Sequence, residues 1–316
     1  MRTEDLQGGL AKVRSLGEGT RLGRLAYRPT AYVEALLYRW LVYPLRRRAW
    51  SRTTSTFFGS ELRVLLPSAT DLYLTGGKVH DSEIRLAAFL IRTLRPGDTF
   101  IDVGAHYGYF SQLAATLVGA SGRVEAIEAS RESYGVLARN LEAFAQARPR
   151  HAAMTDEEGE VTFYAFPNLF AEYSSTTVAD FAGQPWFAEN QPETVRVPGL
   201  TLDGTLGAGT HASAVVKIDV EGGEAAVLRG AADLLARGEA LFVMEYLSRE
   251  RGNTSHREAL ESGKKAGYLT MGIDENGIPY PLRDIEAMLD ERGIDSDNIV
   301  LLHPESSLWR RLGIGK

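Results

Sequence analysis

The stretch FIDVGAHYGYF, residues 100–110, has the pattern of a buried strand, a glycine-containing turn and the start of a helix. Gly104 and Gly108 let the backbone turn sharply and let a ligand approach without a Cβ in its way. In open α/β sheets, ligands bind at such turns, where the carboxyl end of a strand meets the amino end of a helix. Two glycines alone are also compatible with an ordinary tight turn, so their meaning depends on the surrounding sequence.

On both sides of this turn, apolar runs typical of buried strands alternate with segments of helical apolar spacing. This alternation predicts βαβ units and an α/β fold with a Rossmann-like, seven-stranded, mostly parallel sheet. The predicted strands are Thr99–Val103, Arg123–Ile127, His151–Met154, Val215–Val220, Leu241–Glu245, Tyr268–Ile273 and Ile299–His303. The predicted helices are residues 81–94, with Asp81 or Ser82 as N-cap, and Tyr109–Leu117, Arg131–Ala145, Gly223–Ala236 and Ser255–Ala266.

Two segments interrupt the alternation. Residues 57–75 contain two strand-like runs around residues 67–71, which predicts a β-hairpin. Residues 160–200 begin with a strand-like run and continue as an irregular aromatic stretch, too aromatic to indicate disorder. Its aromatic residues are Phe170, Tyr173, Phe181, Trp186 and Phe187. Long loops in compact domains usually serve function, so this insertion is either a lid over the substrate or a peripheral hairpin on the core.

The amino-terminal part of the chain is basic, whereas the whole is acidic. The 316 residues have a net charge of −6, yet residues 1–60 carry 11 Lys or Arg against 4 Asp or Glu. We therefore predict a basic helical extension, residues 1–55, ahead of a Rossmann-like domain, residues 56–316. The extension could contact a membrane surface, the acidic body of the protein or a sister subunit. The net charge does not indicate a nucleic-acid partner.

Residues 31–45 form the most apolar early stretch, and three arginines follow it. It is too short to span a bilayer and contains Glu34, Arg39 and Pro44, so we predict an amphipathic helix and no transmembrane segment. That helix either packs on the main domain or forms an interfacial anchor or homodimer contact. The chain has no cysteine and opens without a secretory signal, which is compatible with a cytoplasmic location.

Glu128 gives the glycine turn its chemical meaning. It ends the second predicted strand, 20 residues after Gly108, where an acidic side chain can accept both ribose hydroxyls of a nucleoside ligand. Dinucleotide-binding loops place a glycine where this chain has His106, because the pyrophosphate needs the space. A bulky residue there favours a ligand without pyrophosphate, such as S-adenosylmethionine, over NAD.

Several carboxylates follow the later predicted strands. In VVKIDVEGGEAAVLRGA, residues 215–231, a buried strand carries Asp219 and Glu221 to its carboxyl end, and LFVMEY ends in Glu245. Such oxygen atoms could bind a divalent metal, but ordinary hydrogen-bonded carboxylates are the preferred interpretation, and we predict no metal site. Carboxylates at one sheet edge also suit acid–base chemistry.

Five segments in this order, FIDVGAHYGYF, VEAIEAS, AAMTDEEGEVTFY, VKIDVEGGEAAVLRGA and FVMEY, resemble the FkbM family of methyltransferases. The resemblance covers about residues 78–303, and KIDVEGGE is its most specific block. His106 departs from the asparagine usual in the family. The resemblance implies a class I methyltransferase fold and methyl transfer from S-adenosylmethionine, often to a hydroxyl of a sugar or other natural product.

The resemblance also implies the roles of individual residues. Asp102, Gly104, Ala105 and Gly108 would line the methionine part of the donor, and Glu128 would hold the ribose. Met154 and Asp156 would flank adenine, whereas Asp219 and Glu221 would face a small-molecule acceptor. A hydroxyl acceptor must lose its proton, and we predict Asp219 or Glu221, followed by His106, as its base. Two alternatives are an NAD-dependent oxidoreductase and a non-catalytic glycan- or partner-binding module.

Overall fold

The computed structural model describes residues 3–167, 169–170, 174–178, 187–207 and 213–314. The strands are β1 (Trp50–Ser55), β2 (Glu61–Leu66), β3 (Thr99–Val103), β4 (Arg123–Glu128), β5 (Ala147–His151), β6 (Ala153–Met154), β7 (Gly159–Ala165), β8 (Glu193–Leu200), β9 (Ala214–Ile218), β10 (Leu241–Leu247), β11 (Leu269–Ile273), β12 (Pro279–Pro281) and β13 (Ser296–Leu302). The helices are α1 (Thr3–Glu18), α2 (Arg21–Tyr27), α3 (Pro29–Leu37), α4 (Tyr43–Arg46), α5 (Thr70–Thr75), α6 (Asp81–Thr93), α7 (Tyr109–Val118), α8 (Arg131–Leu141), α9 (Leu202–Leu206), α10 (Glu224–Arg229), α11 (Ala232–Arg237), α12 (Thr254–Lys265), α13 (Ile285–Arg292) and α14 (Ser307–Leu312).

A large sheet in the order β5-β4-β3-β9-β10-β13-β11-β12 forms the centre of the fold. β5, β4, β3, β9 and β10 are parallel, whereas β13 runs antiparallel to both of its neighbours. This arrangement confirms the predicted α/β fold with a mostly parallel sheet. In the described residues the sheet has one strand more than predicted, because β12 pairs antiparallel with the edge of β11. β12 has three residues and proline at both ends, a composition suited only to an edge strand.

The central strands are apolar on both faces because helices cover both sides of the sheet. Phe100 of β3 belongs to one buried cluster, together with residues of α6 and α7. Its neighbour Ile101 belongs to a second cluster, which α10, α11 and α12 cover from the other side. Successive residues of one strand thus enter two separate cores, which explains why these strands are uniformly apolar in sequence.

Helices occupy most of the basic amino-terminal segment. α1 packs against α6 and buries Leu6, Leu10 and Val13. α3 continues through a π-helical turn, Tyr38–Val42, into α4, where an amphipathic helix was predicted. The last residues of the segment form β1 rather than a helix. In the described chain, no helix combines the length and the apolar character that crossing a membrane requires.

The predicted hairpin at residues 57–75 is wrong. The hairpin instead joins β1 to β2, pairing Ser55 with Glu61, and residues 70–75 form helix α5. Leu72 to Thr75 are all buried, and side chains buried on every side of a short segment show neither helical nor strand periodicity. The predicted N-cap is also wrong, since His80 occupies that position without a side-chain capping bond.

Two predicted elements are divided in the structure. The predicted strand His151–Met154 separates into the end of β5 and the short strand β6, which belongs to a second sheet of order β6-β8-β7. β5 reads ARPRH and is only half buried, so its sequence lacks the apolar run of a core strand. The predicted helix Gly223–Ala236 is broken at Gly230, where a Cβ would lie 2.1 Å from the carbonyl oxygen of Thr155.

The insertion at residues 160–200 begins and ends in an antiparallel pair of strands, β7 and β8. Phe163 of β7 is buried against Val197 of β8. Ser175 pairs with Tyr164 in an isolated bridge, and its hydroxyl donates to the carbonyl oxygen of Glu221 at 2.5 Å. Tyr173, Phe181 and Trp186 lie outside the described residues. Through Ser175, the described part of the insertion therefore contacts Glu221, one of the acidic residues that follow β9.

Candidate active site

The turn after β3 lies directly against the end of β9. Gly104 has φ +76°, and a Cβ at this position would lie 1.8 Å from the carbonyl oxygen of Asp219. The backbone N–H of Asp219 in turn donates to the carbonyl oxygen of Val103 at 3.1 Å. Only glycine permits both the left-handed backbone and this close approach. The turn thereby places Asp219 beside the 104–108 loop.

A buried lysine joins these two strands. Nζ of Lys217, near the carboxyl end of β9, lies 3.2 Å from a carboxylate oxygen of Asp102 and 3.1 Å from one of Asp219. Ser111 donates a further hydrogen bond of 2.6 Å to Asp102. Burial alone would lower the pKa of Lys217, but the two carboxylates raise it above its ordinary value. Lys217 is therefore a permanent positive charge between two strand ends.

A cavity of about 630 Å³ opens at the carboxyl edge of the sheet. This volume lies within the range of small-molecule and cofactor pockets. The predicted site residues that line it are Gly104, Ala105, His106, Glu128, Met154, Asp219 and Glu221. Residues from β3, β4, β6 and the segment after β9 thus meet around one space, although they are far apart in sequence.

Three predicted site residues are not among those that line the cavity. Asp102 is 1% exposed and binds Lys217 instead. Gly108 precedes α7, where a Cβ would lie 2.7 Å from a methyl carbon of Leu137, so it shapes the turn through packing. Asp156 is exposed and forms a 2.9 Å ion pair with Arg229.

Glu128 is held in place by the backbone. Its two carboxylate oxygens accept hydrogen bonds of 2.8 Å from the N–H groups of His106 and Ser130. Burial raises the pKa of Glu128 to about 7, and the two N–H groups oppose part of that effect. Each oxygen retains a lone pair, since an ionised carboxylate has about four acceptor positions. Glu128 can therefore accept further hydrogen bonds from a ligand in the cavity.

His106 lies in the same loop with φ +51°, an unusual backbone conformation for a residue with a Cβ. Its ring stacks on Tyr107, with centroids 3.7 Å apart. Burial, followed by the charge of Lys78, lowers the pKa of His106 to about 3. Its buried Nε2 has no hydrogen-bond partner among the described residues. The imidazole of His106 is therefore neutral near pH 7, and the residue lines the cavity.

The model of the FkbM methyltransferase domain matches residues 102–270, more than half of the chain. The protein belongs to the FkbM methyltransferase family. The large, mostly parallel sheet described above is the α/β architecture that was expected for this family. No curated protein sequence matches the chain.

Solved structures of methyltransferases align with this FkbM protein at low identity. An FkbM methyltransferase from Methylobacillus flagellatus is 12% identical over 74% of this chain, with a TM-score of 0.39, and this chain spans 52% of its length. Fibrillarin from Aeropyrum pernix, with natively bound S-adenosyl-L-methionine, is 13% identical over 69% of this chain and 74% of its own, with a TM-score of 0.38. An S-adenosylmethionine-dependent O-methyltransferase from Thermotoga maritima is 13% identical over 80% and 77%, with a TM-score of 0.36.

The carboxylates of this FkbM protein differ in basicity. Burial would raise the pKa of Asp219, but Lys217 and Lys78 hold it below its ordinary value. Burial and the charge of Glu245 raise the pKa of Glu221 well above its ordinary value. Burial, followed by the charge of Asp219, raises the pKa of Glu245 to about 7. Asp219 is consequently the persistent anion, Glu245 can exchange a proton near neutral pH, and Glu221 holds its proton more firmly than an ordinary glutamate.

The basic residues of the site were not predicted. Lys217 carried a signal in the sequence, because a charge inside an otherwise apolar strand needs a buried partner. Lys78, which forms an ion pair with Glu83, lies before α6 and outside any motif. Burial lowers the pKa of Lys78, but Glu83 and Asp219 outweigh it and raise the value. The cavity therefore contains fixed positive charges as well as acids.

Proposed function

We propose that this protein transfers a methyl group from S-adenosylmethionine to a hydroxyl of a small molecule, such as a sugar or another natural product. The supporting observation is the position of Glu128. Its carboxylate lines the cavity beside the 104–108 loop, and two N–H groups fix it from behind. A fixed acceptor of this kind suits the two hydroxyls of a ribose.

The rest of the donor fits the same end of the cavity. Met154 and Phe163 are apolar, buried and part of its lining, so we place the adenine between them. Asp156 was expected to help, but its ion pair with Arg229 directs it elsewhere. Gly104, Ala105 and His106 line the space next to Glu128, where the methionine part belongs. When bound, the donor supplies an activated methyl group on a sulfonium, and the protein mainly positions the two reactants.

The acceptor belongs at the acidic end of the cavity. A hydroxyl oxygen is a better nucleophile once its proton leaves, and a side chain within hydrogen-bond reach can take that proton. Effective bases have a pKa near the working pH. Glu245 meets this condition, and Glu221, predicted as a base, shares the raised pKa. Asp219 is held ionised by Lys217, so its role is to orient the acceptor.

The insertion completes the acceptor end of the cavity. Leu169, Ser174, Ser175 and Thr176 line it, and Ser175 binds the backbone of Glu221. Of the two alternatives that the sequence left open, we infer that the insertion acts as a lid, because its described residues line the cavity beside Glu221 and can shield the reaction from water.

Donor binding can be tested by thermal unfolding with S-adenosylhomocysteine or NAD. A ligand that binds only the native state stabilises it by about 2.7 kcal/mol at 100 times its Kd. We expect stabilisation by S-adenosylhomocysteine alone, its loss in Glu128→Ala, and its retention in the matched control Asp156→Ala. Equal stabilisation of the wild type, Glu128→Ala and Asp156→Ala would contradict the role of Glu128.

The acceptor can be tested by mass spectrometry of the products formed with a panel of glycosides, polyketides and peptides. A product that carries the new methyl group on an atom other than a hydroxyl oxygen would reject O-methylation.

A further inference from the structure

An apolar ridge lies on the outer face of the amino-terminal helices. We define it as Val33, Leu36, Leu37, Trp40, Leu41 and Leu45, which are 48%, 40%, 50%, 69%, 61% and 87% exposed. Their spacing of three and four residues places them on one side of the continuous helix formed by α3, the π-helical turn and α4. Ala35 and Tyr38, on the opposite side, are buried against the core. This helix is therefore apolar on both faces.

Such a helix is unusual on a protein surface. A surface helix normally turns a polar face to water, and a helix that is apolar all round is normally buried. In the described parts of the chain, large exposed apolar side chains outside residues 22–45 occur only at Leu269 and Ile278. The exposed apolar area is thus concentrated in one segment, which marks an interaction surface.

Exposed arginines accompany the ridge. Residues 21–52 include eight arginines but only one acidic residue, Glu34. Glu34 is directed toward the protein, where it contacts Arg52 at 3.4 Å and the hydroxyl of Tyr73 at 3.3 Å. Arg39 and the run Arg46–Arg48 are exposed beside and beyond the apolar side chains. The surface offered to a partner is therefore apolar along its centre and positive along its edge.

We propose that this ridge binds the surface of an anionic lipid bilayer, with the helix lying in the plane of the interface. Apolar side chains of an interfacial helix enter the boundary between headgroups and acyl chains, and tryptophan is favoured at that depth. Exposed arginines extend toward lipid phosphates. A second copy of this surface fits less well, because pairing would bring two positively charged surfaces together, and Glu34, the one acidic residue of 21–52, already pairs with Arg52.

The ridge lies next to the candidate active site. Arg39 lines the cavity as well as flanking the ridge. A ridge seated on a bilayer therefore holds one wall of the cavity at the lipid surface. Binding to lipid does not require methyl transfer, so it can be tested without knowing the acceptor.

The test is co-sedimentation of the full chain with vesicles of phosphatidylcholine, with and without about 30% phosphatidylglycerol. We expect binding to the anionic vesicles at least about tenfold tighter than to the neutral ones. Leu36→Ser with Trp40→Ser should weaken it about tenfold or more. Replacing Arg46, Arg47 and Arg48 by Gln should weaken it about 100-fold, since each arginine near the surface contributes about fivefold. The matched control, Leu269→Ser with Ile278→Ser, should bind like the wild type.

Folding is checked for each variant by circular dichroism. Should the double ridge variant fail to fold, Trp40→Ser alone carries the test, because this side chain is 69% exposed. Equal binding to both vesicle types, or a ridge variant that binds like the control, overturns the proposal. The proposal is also overturned if the wild type is a homodimer in size-exclusion chromatography, the ridge variant is a monomer, and neither protein binds vesicles. The partner of the ridge is then a second copy of the chain. A blue shift of tryptophan emission with anionic vesicles, absent in Trp40→Phe, supports insertion of the ridge.

Discussion

Replacing Lys217 by methionine is the substitution that examines the architecture of the site most closely. Methionine keeps the length and most of the volume of the side chain, so the change removes a charge without opening a large cavity. Nζ of Lys217 lies 3.2 Å from Asp102 and 3.1 Å from Asp219. Its loss leaves both carboxylates without their shared positive partner.

The two carboxylates do not contribute equally to the cost. The side chain of Asp102 is 1% exposed, whereas that of Asp219 is 36% exposed and can be hydrated from the cavity. Removing one partner of a buried ion pair costs about 3–5 kcal/mol, because the remaining charge stays buried. We assign nearly all of this cost to Asp102. The free energy of unfolding of Lys217→Met should therefore fall by about 3–5 kcal/mol.

Urea unfolding of four proteins tests this assignment. Asp102→Asn in the Lys217→Met background should recover about 2 kcal/mol, because the amide is neutral and can still accept from Ser111. Asp219→Asn in the same background should recover much less. Lys264→Met, which removes an exposed pair with Glu261, should change stability by less than about 0.5 kcal/mol. A loss below about 1 kcal/mol in Lys217→Met, or equal recovery by both aspartate substitutions, would show that Lys217 does not stabilise a buried Asp102.

Three further results are expected. Gly104→Ala should lose more than about 2 kcal/mol of stability by urea unfolding, since its Cβ meets the Asp219 carbonyl at φ +76°; near-wild-type stability would contradict this close approach. Turnover should rise with pH through about 7 as Glu245 ionises, and Glu245→Gln should remove that rise; an unchanged profile assigns the base elsewhere. Affinity for S-adenosylhomocysteine should fall about tenfold from pH 8 to pH 6, because protonated Glu128 accepts fewer hydrogen bonds; Glu128→Gln should flatten this dependence, and calorimetry measures both.

The core of the fold could be predicted from the sequence because its strands are buried on both faces. Segments such as TFIDV and AVVKI are apolar runs bounded by turn residues, and helices separate them at regular intervals. β5 and β12 could not be recognised in this way. β5 is a half-buried strand with two arginines, and β12 is a three-residue edge strand. α5 was mistaken for a strand because tertiary burial, rather than periodicity, determines its composition.

Residues of the candidate site could be predicted from the sequence only where they stand at the carboxyl end of a predicted strand. Glu128, Asp219 and Glu221 follow buried strands, and all three reach the cavity. Sequence position does not show whether another charge lies between a carboxylate and the cavity, which is why Asp102 was expected to line it. Lys78 could not be predicted, because it lies outside the predicted strands and pairs with Glu83 of α6, and the sequence does not show that α6 packs beside the site. The raised pKa of Glu245 depends likewise on burial and on Asp219.

A crystal structure of the protein with S-adenosylhomocysteine would show whether Glu128 holds the ribose of the methyl donor. We expect the ribose hydroxyls within hydrogen-bond distance of the Glu128 carboxylate, the adenine beside Met154 and Phe163, and the homocysteine sulfur directed toward Asp219 and Glu245. A nucleoside bound elsewhere on the sheet, or a ribose held by other residues while Glu128 keeps only its two backbone partners, would contradict this expectation.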